Sequence, residues 1–260
     1  MTELPPFLLS RPEGPEEKPL LVLGHSLGTD EAAWDDAVPS LLNDFCISRL
    51  TLPGHGLSDV PSERFTLADL AAGVAAAASR LSRSGWFYFA GVSLSGGLAL
   101  ELALHHPDQV RGAAVVASGA ELGSPEHWAA RAAMIREQSP AGLVEASRKL
   151  WFDSHALEHR AEAVERLLLS LAGTSPEGYA RCAEALETFD VRSRLAEIDV
   201  PLLALWGQSD SVGTEPRQDE IVLGAKRARK VMVADCAHQP QAEQPEATAA
   251  ALTKFFASIE

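Results

Sequence analysis

The sequence predicts an α/β protein: a mostly parallel, doubly wound sheet that carries an inserted block of helices. Three observations predict it. Short apolar runs bounded by turn residues alternate with stretches of helical periodicity, the pattern of consecutive βαβ units. Between Gly119 and Phe189 that alternation stops and only helical spacing is left. Strand signals then return, so the block interrupts one sheet instead of following it. The expected division is a sheet domain of residues 1–118 with 191–260, and a helical cap of residues 119–190.

Element by element, Phe7-Leu8-Leu9 reads as a short first strand, and a Pro- and Glu-rich link follows from Pro12 to Pro19. Leu20–Leu23 is a continuous apolar run, hence a strand buried on both faces. The small-residue loop Gly24-His25-Ser26-Leu27-Gly28 ends it. Trp34, Val38 and Leu41 have helical spacing; Cys46–Leu50 is the next strand, and Leu52–Ser58 a glycine-rich turn. Thr66 with Asp69 opens a capped helix whose apolar face is Leu67, Leu70, Val74 and Leu81, with Gly85 as its stop. Trp86–Phe89 and Val110–Ala117 read as strands on either side of an apolar helix through Leu104. Four helices are legible in the block, with stripes Trp128/Ala132/Ile135, Leu143/Ser147/Leu150, Ala161/Val164/Leu168/Leu171 and Tyr179/Cys182/Leu186/Phe189. Prolines 125, 140 and 176 stand where three of these helices begin. Leu202–Trp206 and Lys230–Val233 are the last strands, and a helix runs from about Pro245 to Ser258.

Composition narrows the function classes. A 46% hydrophobic content supports a large core, yet no apolar run reaches the ~18 residues of a membrane span. Met1–Pro6 carries no basic-then-apolar leader, and Cys46, Cys182 and Cys236 are an odd set without metal-ligand spacing. A cytoplasmic protein with free thiols is the expectation. A formal net charge of -14 argues against nucleic acid and anionic membrane as partners. It also means that an anionic ligand would need a local cation.

The densest chemical signal is Ala90-Gly91-Val92-Ser93-Leu94-Ser95-Gly96-Gly97, between a strand and a helix. A serine at so tight a corner needs small residues two places either side, and the first amides of the following helix face the reaction site. Ser95 also fits a small-x-Ser-x-small pattern. Ser93 is preferred because it follows the strand directly, whereas Ser95 would lie inside the first helical turn; as a lesser role, either serine could be only an N-cap.

In sheets of this kind, functional residues gather beyond the carboxyl ends of the strands. Asp210 follows the Leu202–Trp206 strand and His238 follows the Lys230–Val233 strand. Ser93 as nucleophile, His238 as general base and Asp210 as the group that fixes the imidazole form a consistent set. Asp235 and Glu121 are weaker candidates for the acid, and Cys236 reads as a small buried residue. Leu94 and Leu27 would supply the two amide donors of an oxyanion hole. A competing signature, His155-Ala156-Leu157-Glu158-His159, matches an inverted zinc-peptidase motif. It lacks a long helix, and Glu162 is the only nearby extra carboxylate, so a polar helix face is expected and no metal or other cofactor.

With these residues in place, the chain resembles the α/β-hydrolases, and within them the 3-oxoadipate enol-lactonases. The resemblance covers nearly the whole chain. It rests on the elbow, on His25–Asp30 with Trp34-Asp35, and on Pro53–Asp59. It rests also on Gly123–Trp128 with Arg131, on Tyr179–Cys182, Phe189–Arg192 and Glu243–Glu246. Departures are Ser95 in place of a usual glycine, Thr51 in place of a common aspartate, and Gln239-Pro240-Gln241 after the histidine. The resemblance implies ring opening of an anionic enol-lactone through an acyl-enzyme, without a cofactor. Such a substrate carries a carboxylate, and two Trp/Arg pairs at helical i,i+3 spacing, Trp128/Arg131 and Arg148/Trp151, are the candidates to receive it. A different ester or lactone hydrolase, and a ligand receptor with incidental turnover, are the competing readings.

Overall fold

The computed structural model describes residues 4–259, so the reading of Met1–Glu3 lies outside the described residues. Seven strands form one sheet in the order β1-β3-β2-β4-β5-β6-β7: β1 Leu8–Leu9, β2 Leu20–Gly24, β3 Cys46–Thr51, β4 Phe87–Val92, β5 Val110–Val116, β6 Leu202–Gly207 and β7 Ala228–Val233. Only β1 runs antiparallel, against β3. Because the chain goes from β2 out to β3 and then back past β2 to β4, the strand order reverses beside β2. That reversal opens a crevice at the carboxyl ends of β2 and β4, where open parallel sheets bind ligands.

Alternate strand residues enter two cores, one on each face of the sheet. Val22, Phe87 and Phe89 pack with helices α2 (Leu67–Leu81) and α3 (Leu94–His105), while Leu21, Leu23, Tyr88 and Ala90 pack on the other face. That second face is closed by α1 (Val38–Leu41) and, from the chain's end, by Leu252 and Phe256. The Thr66/Asp69 capping box forms as the sequence indicates, each side chain taking the other residue's backbone amide. Trp34 closes a 3-10 turn instead of opening a helix, and its indole donates to the Gly24 carbonyl at 3.1 Å.

Between β5 and β6 the chain forms α4 (Pro125–Gln138), α5 (Val144–Trp151), α6 (Ser154–His159), α7 (Ala161–Gly173) and α8 (Pro176–Glu187). The sequence reading had four helices there. The fifth, α6, is short and presents polar residues on most sides, so it has no stripe to read. Its Asp153 N-cap accepts from the Ala156 amide at 2.9 Å. In α5 the buried positions are Ser147 and Trp151, and Leu150 is exposed; the indole outcompetes leucine for the inward face. Glu121 and Asp190 form an antiparallel bridge, and the Val191 amide donates to the Ala120 carbonyl at 2.9 Å, so both ends of the helical stretch meet. After β6 come α9 (Glu215–Gly224), α10 (Pro240–Glu243) and α11 (Pro245–Phe256). Among the described residues, no helix is long and apolar enough to cross a membrane.

Candidate active site

Ser93 stands between β4 and α3 with φ 56° and ψ -114°, outside the regions an L-residue ordinarily occupies. Such a conformation costs of order 1–3 kcal/mol and persists only when its surroundings impose it. Here they do: the Ser93 amide donates to Val116 O at 2.8 Å, while its carbonyl receives Gly96 N and the Ser118 hydroxyl at 2.8 and 2.7 Å. A Cβ at Gly91 would collide with the Ser95 carbonyl, so the corner admits no larger residue there. Ser93 makes no side-chain cap bond to its helix. Ser95 lies inside the helix, fully buried, and its hydroxyl donates to the His25 carbonyl at 2.6 Å. It pins the β2 loop to the elbow, a job glycine could not do.

Asp210 and His238 are brought together: the imidazole Nδ1 lies 3.1 and 3.2 Å from the two carboxylate oxygens. Oδ1 also accepts Val212 N at 2.8 Å and Oδ2 accepts Gly213 N at 3.0 Å, so the carboxylate is fixed on three sides. An ionised carboxylate only accepts, so Nδ1 carries the hydrogen and Nε2 of the neutral ring is left as an acceptor. The loop after β7 reaches this position by crossing the end of β6. A side chain at Gly207 would strike the Ala237 and Cys236 carbonyls, and Ser209 N donates to Cys236 O at 2.9 Å. Asp235 is exposed with φ 52°, and Glu121 faces Gly123 N at 2.6 Å and Arg217. Among the described residues, the carboxylate that meets His238 is that of Asp210, not of either of these. Burial raises the Cys236 thiol well above its ordinary range, so it holds its proton.

The loops after β2 and β3 are locked by a reciprocal pair of histidines, His25 and His55, to which the sequence pattern assigns no role. His25 Nε2 accepts Leu52 N at 3.0 Å, and His55 Nε2 accepts Gly28 N at 3.0 Å. Each ring is then neutral and protonated at Nδ1, which faces the Ser26 and Pro53 carbonyls, respectively, at 2.9 Å. Burial lowers the His25 pKa to about 4; burial, aided by neighbouring His25, lowers that of His55 to about 3. The lock sets the height of Leu27, one residue before the bonded Gly28 amide. Leu94, as the first residue of α3, has an amide without an intrahelical acceptor. Among the described residues, neither the Leu27 nor the Leu94 amide is recorded with a partner.

Further partners were invisible in the sequence. Gln239 Nε2 donates to the Ser26 hydroxyl at 3.0 Å and Gln241 Nε2 to Gln239 Oε1 at 2.8 Å, linking the histidine loop to the β2 loop. Gln218 Nε2 donates to the Ser118 and Gly213 carbonyls at 2.8 and 2.9 Å. The odd Gln239-Pro240-Gln241 run and a glutamine in the helix between β6 and β7 were the only signals.

The four substrate-binding candidates separate. Trp128 is half-buried and donates to Leu122 O at 3.2 Å; Arg131 lies beside Tyr179, whose phenol burial pushes up and Arg131 pulls down. Tyr179 and Leu171 flank Gly28 of the β2 loop. Arg148 instead forms a half-exposed ion pair with Glu165 at 2.7 Å. Trp151 is buried, and its carbonyl accepts the His238 amide at 3.0 Å. The zinc-like motif falls on α6 with its two imidazoles 4.6 Å apart, and no cluster of three metal-binding side chains occurs among the described residues. A surface groove of about 770 Å³ lies at the opposite edge of the sheet, lined by Leu20, Cys46 and Trp86, remote from all these groups.

A strained serine after β4, an acid after β6 and a histidine after β7, on a parallel sheet, are the layout of an α/β hydrolase. The model of the alpha/beta hydrolase fold matches residues 19–245, and the chain belongs to that family as a hydrolase. It is 30% identical over 234 residues to 3-oxoadipate enol-lactonase 2 of Acinetobacter baylyi, covering 90% of this chain and 87% of that one. It is also 33% identical over 252 residues to a pimeloyl-[acyl-carrier protein] methyl ester esterase of Neisseria meningitidis serogroup B, with 93% and 94% covered. The enol-lactonase structure from Burkholderia xenovorans LB400 superposes with a TM-score of 0.90 at 28% identity, over 97% of this chain and 96% of that one.

Proposed function

We propose that the protein opens an anionic enol-lactone, with Ser93, His238 and Asp210 as its triad and residues 119–190 as a cap over the site. The Asp210–His238 pair, which leaves Nε2 free as a base, carries the hydrolytic part of this reading. Ser93 Oγ attacks the lactone carbonyl while Nε2 takes its proton, and the oxyanion is received by the Leu27 and Leu94 amides. Collapse breaks the ring C–O bond, the imidazolium returns the proton to the departing enolate oxygen, and water then releases the acyl group by the same base. The ketone formed from the enol draws the reaction forward.

Arg136, Arg148, Arg160, Arg166 and Arg181 each meet a carboxylate, whereas Arg131 is the one arginine of α4–α8 without one among the described residues. A guanidinium offers two parallel donors to a carboxylate, which suits Arg131 to the substrate's acid group. The methyl ester esterase relatives favour a second reading, a chain ester with the same triad. Turnover on 3-oxoadipate enol-lactone, a neutral lactone and a methyl ester of a dicarboxylic acid separates them: kcat/KM highest on the anionic enol-lactone supports the first reading, and preference for the methyl ester overturns it.

A further inference from the structure

Glu243 ends α10 and is 2% exposed, yet both its oxygens face backbone amides. Oε1 accepts Ala237 N at 2.9 Å and Gln239 N at 3.0 Å, and Oε2 accepts Asp153 N at 2.9 Å. Ala237 and Gln239 are the immediate neighbours of His238, whose own amide donates to Trp151 O at 3.0 Å. One carboxylate therefore grips the histidine loop on both sides and ties it to the chain leaving α5.

We propose that Glu243 is a positioning residue for His238, holding the imidazole at the height and pitch that proton transfer from Ser93 requires; this rests on the triad reading above. The arrangement asks for a strong acceptor on both oxygens, which the ionised carboxylate offers; protonation makes one oxygen a hydroxyl, a weaker acceptor that brings its own donor among amide donors. Burial pushes this carboxyl up to about 7 against the pull of its three amides, with the charge of Asp153 adding to the rise. The other ionisable groups around it are few. Cys236 on the same loop keeps its proton, Arg160 from the start of α7 reaches the Ala242 carbonyl, and His155 of α6 lies 3.5 Å from the Gln244 amide nitrogen. Protonation of Glu243 below neutral pH therefore weakens this anchor of the histidine loop.

Glutamine separates the two ties. Its one carbonyl can keep Ala237 and Gln239, while its amide group faces the Asp153 N–H and loses that bond. The test follows phosphonylation of the serine by a fluorophosphonate, in which a P–O bond forms, fluoride leaves and the base takes the hydroxyl proton. Wild type, Glu243→Ala and Glu243→Gln are compared from mildly acidic to mildly alkaline pH, with circular dichroism as the control for folding. Glu243→Ala should label roughly ten- to hundredfold more slowly at full fold. Glu243→Gln should label faster than Glu243→Ala, with its acid limb moved to lower pH than in wild type, since glutamine does not titrate. Equal rates for wild type and folded Glu243→Ala overturn the proposal. Should Glu243→Ala not fold, an unmoved acid limb in Glu243→Gln overturns it. Wild type that takes no label at Ser93 is a different result: it removes the triad reading, and the proposal with it.

Discussion

The carboxyl edge of the sheet and the helices α4–α8 handle polar groups in opposite ways. At the edge, buried groups are neutral or held by N–H donors: His25 and His55 lock two loops, Asp210 accepts two amides and the His238 imidazole, and Glu243 accepts three amides. Of the four non-glycine residues with positive φ among those described, Ser93, Ala117 and Asp235 lie just beyond β4, β5 and β7. Along α4–α8 the polar groups are ion pairs open to water, such as Arg148–Glu165 and Arg136–Glu177. Buried amide-held groups are costly to disturb because a lost partner leaves a desolvated group behind. Exposed pairs contribute about 0–1 kcal/mol. Changes at the edge should therefore act on chemistry and acid stability, and changes on the helices should be small unless they touch Arg131.

The largest effect expected is at the elbow. Ser93→Ala should lower kcat by at least about a thousandfold, with the melting temperature near that of wild type. Ser95→Ala removes the bond to the His25 carbonyl and should reduce stability by about 1 kcal/mol while most turnover remains. The opposite pattern would exchange the roles of the two serines.

Next comes Arg131→Ala, expected to lower kcat/KM on an anionic lactone by one to two powers of ten and to leave a neutral ester of similar size nearly unaffected. Equal losses on both substrates would make Arg131 a brace for Tyr179 instead. Added salt should weaken the wild-type preference for the anion and leave the mutant's unchanged.

The histidine lock gives a pH dependence with a definite sign. Both imidazoles have folded pKa values, about 4 and about 3, below their ordinary 6.5. Their contribution to stability is complete above 6.5 and is lost as pH falls toward and through those lower values. Urea midpoints should decline over that acid range, and His55→Gln should show a lower midpoint at neutral pH with a shallower decline. A wild-type midpoint that is flat from pH 6.5 to 4 would contradict the neutral pair. The smallest effect is at Arg148→Ala, within about 1 kcal/mol in stability and within a factor of two in kcat/KM on either substrate.

The same contrast explains what could be read from the chain. β2 and β4 were legible because each is a continuous apolar run between turn residues, and the elbow because Gly91 leaves no room for a side chain. Asp210 and His238 could be paired on paper because each follows a strand end, and parallel register carries strand ends to one edge. Gln239 and Glu243 were not legible as anchors. Their partners are a hydroxyl 213 positions away and an amide 90 positions away, contacts that no periodicity encodes. α6 was expected as a polar helix face but not as a helix separate from α7, because a six-residue helix without an apolar stripe has no period to mark its ends. Arg131 and Arg148 looked equivalent in spacing; only the position of Glu165 separates them.

The nucleophile itself can be trapped. Mixing the enzyme with a p-nitrophenyl ester, quenching in acid within the first turnover and mapping the peptides by mass spectrometry reports which side chain carries the acyl group. Acylation at Ser93, absent from Ser93→Ala and retained in Ser95→Ala, is the expected result. An acyl group on Ser95 or Cys236, or release of nitrophenol with no acylated peptide at all, would contradict it.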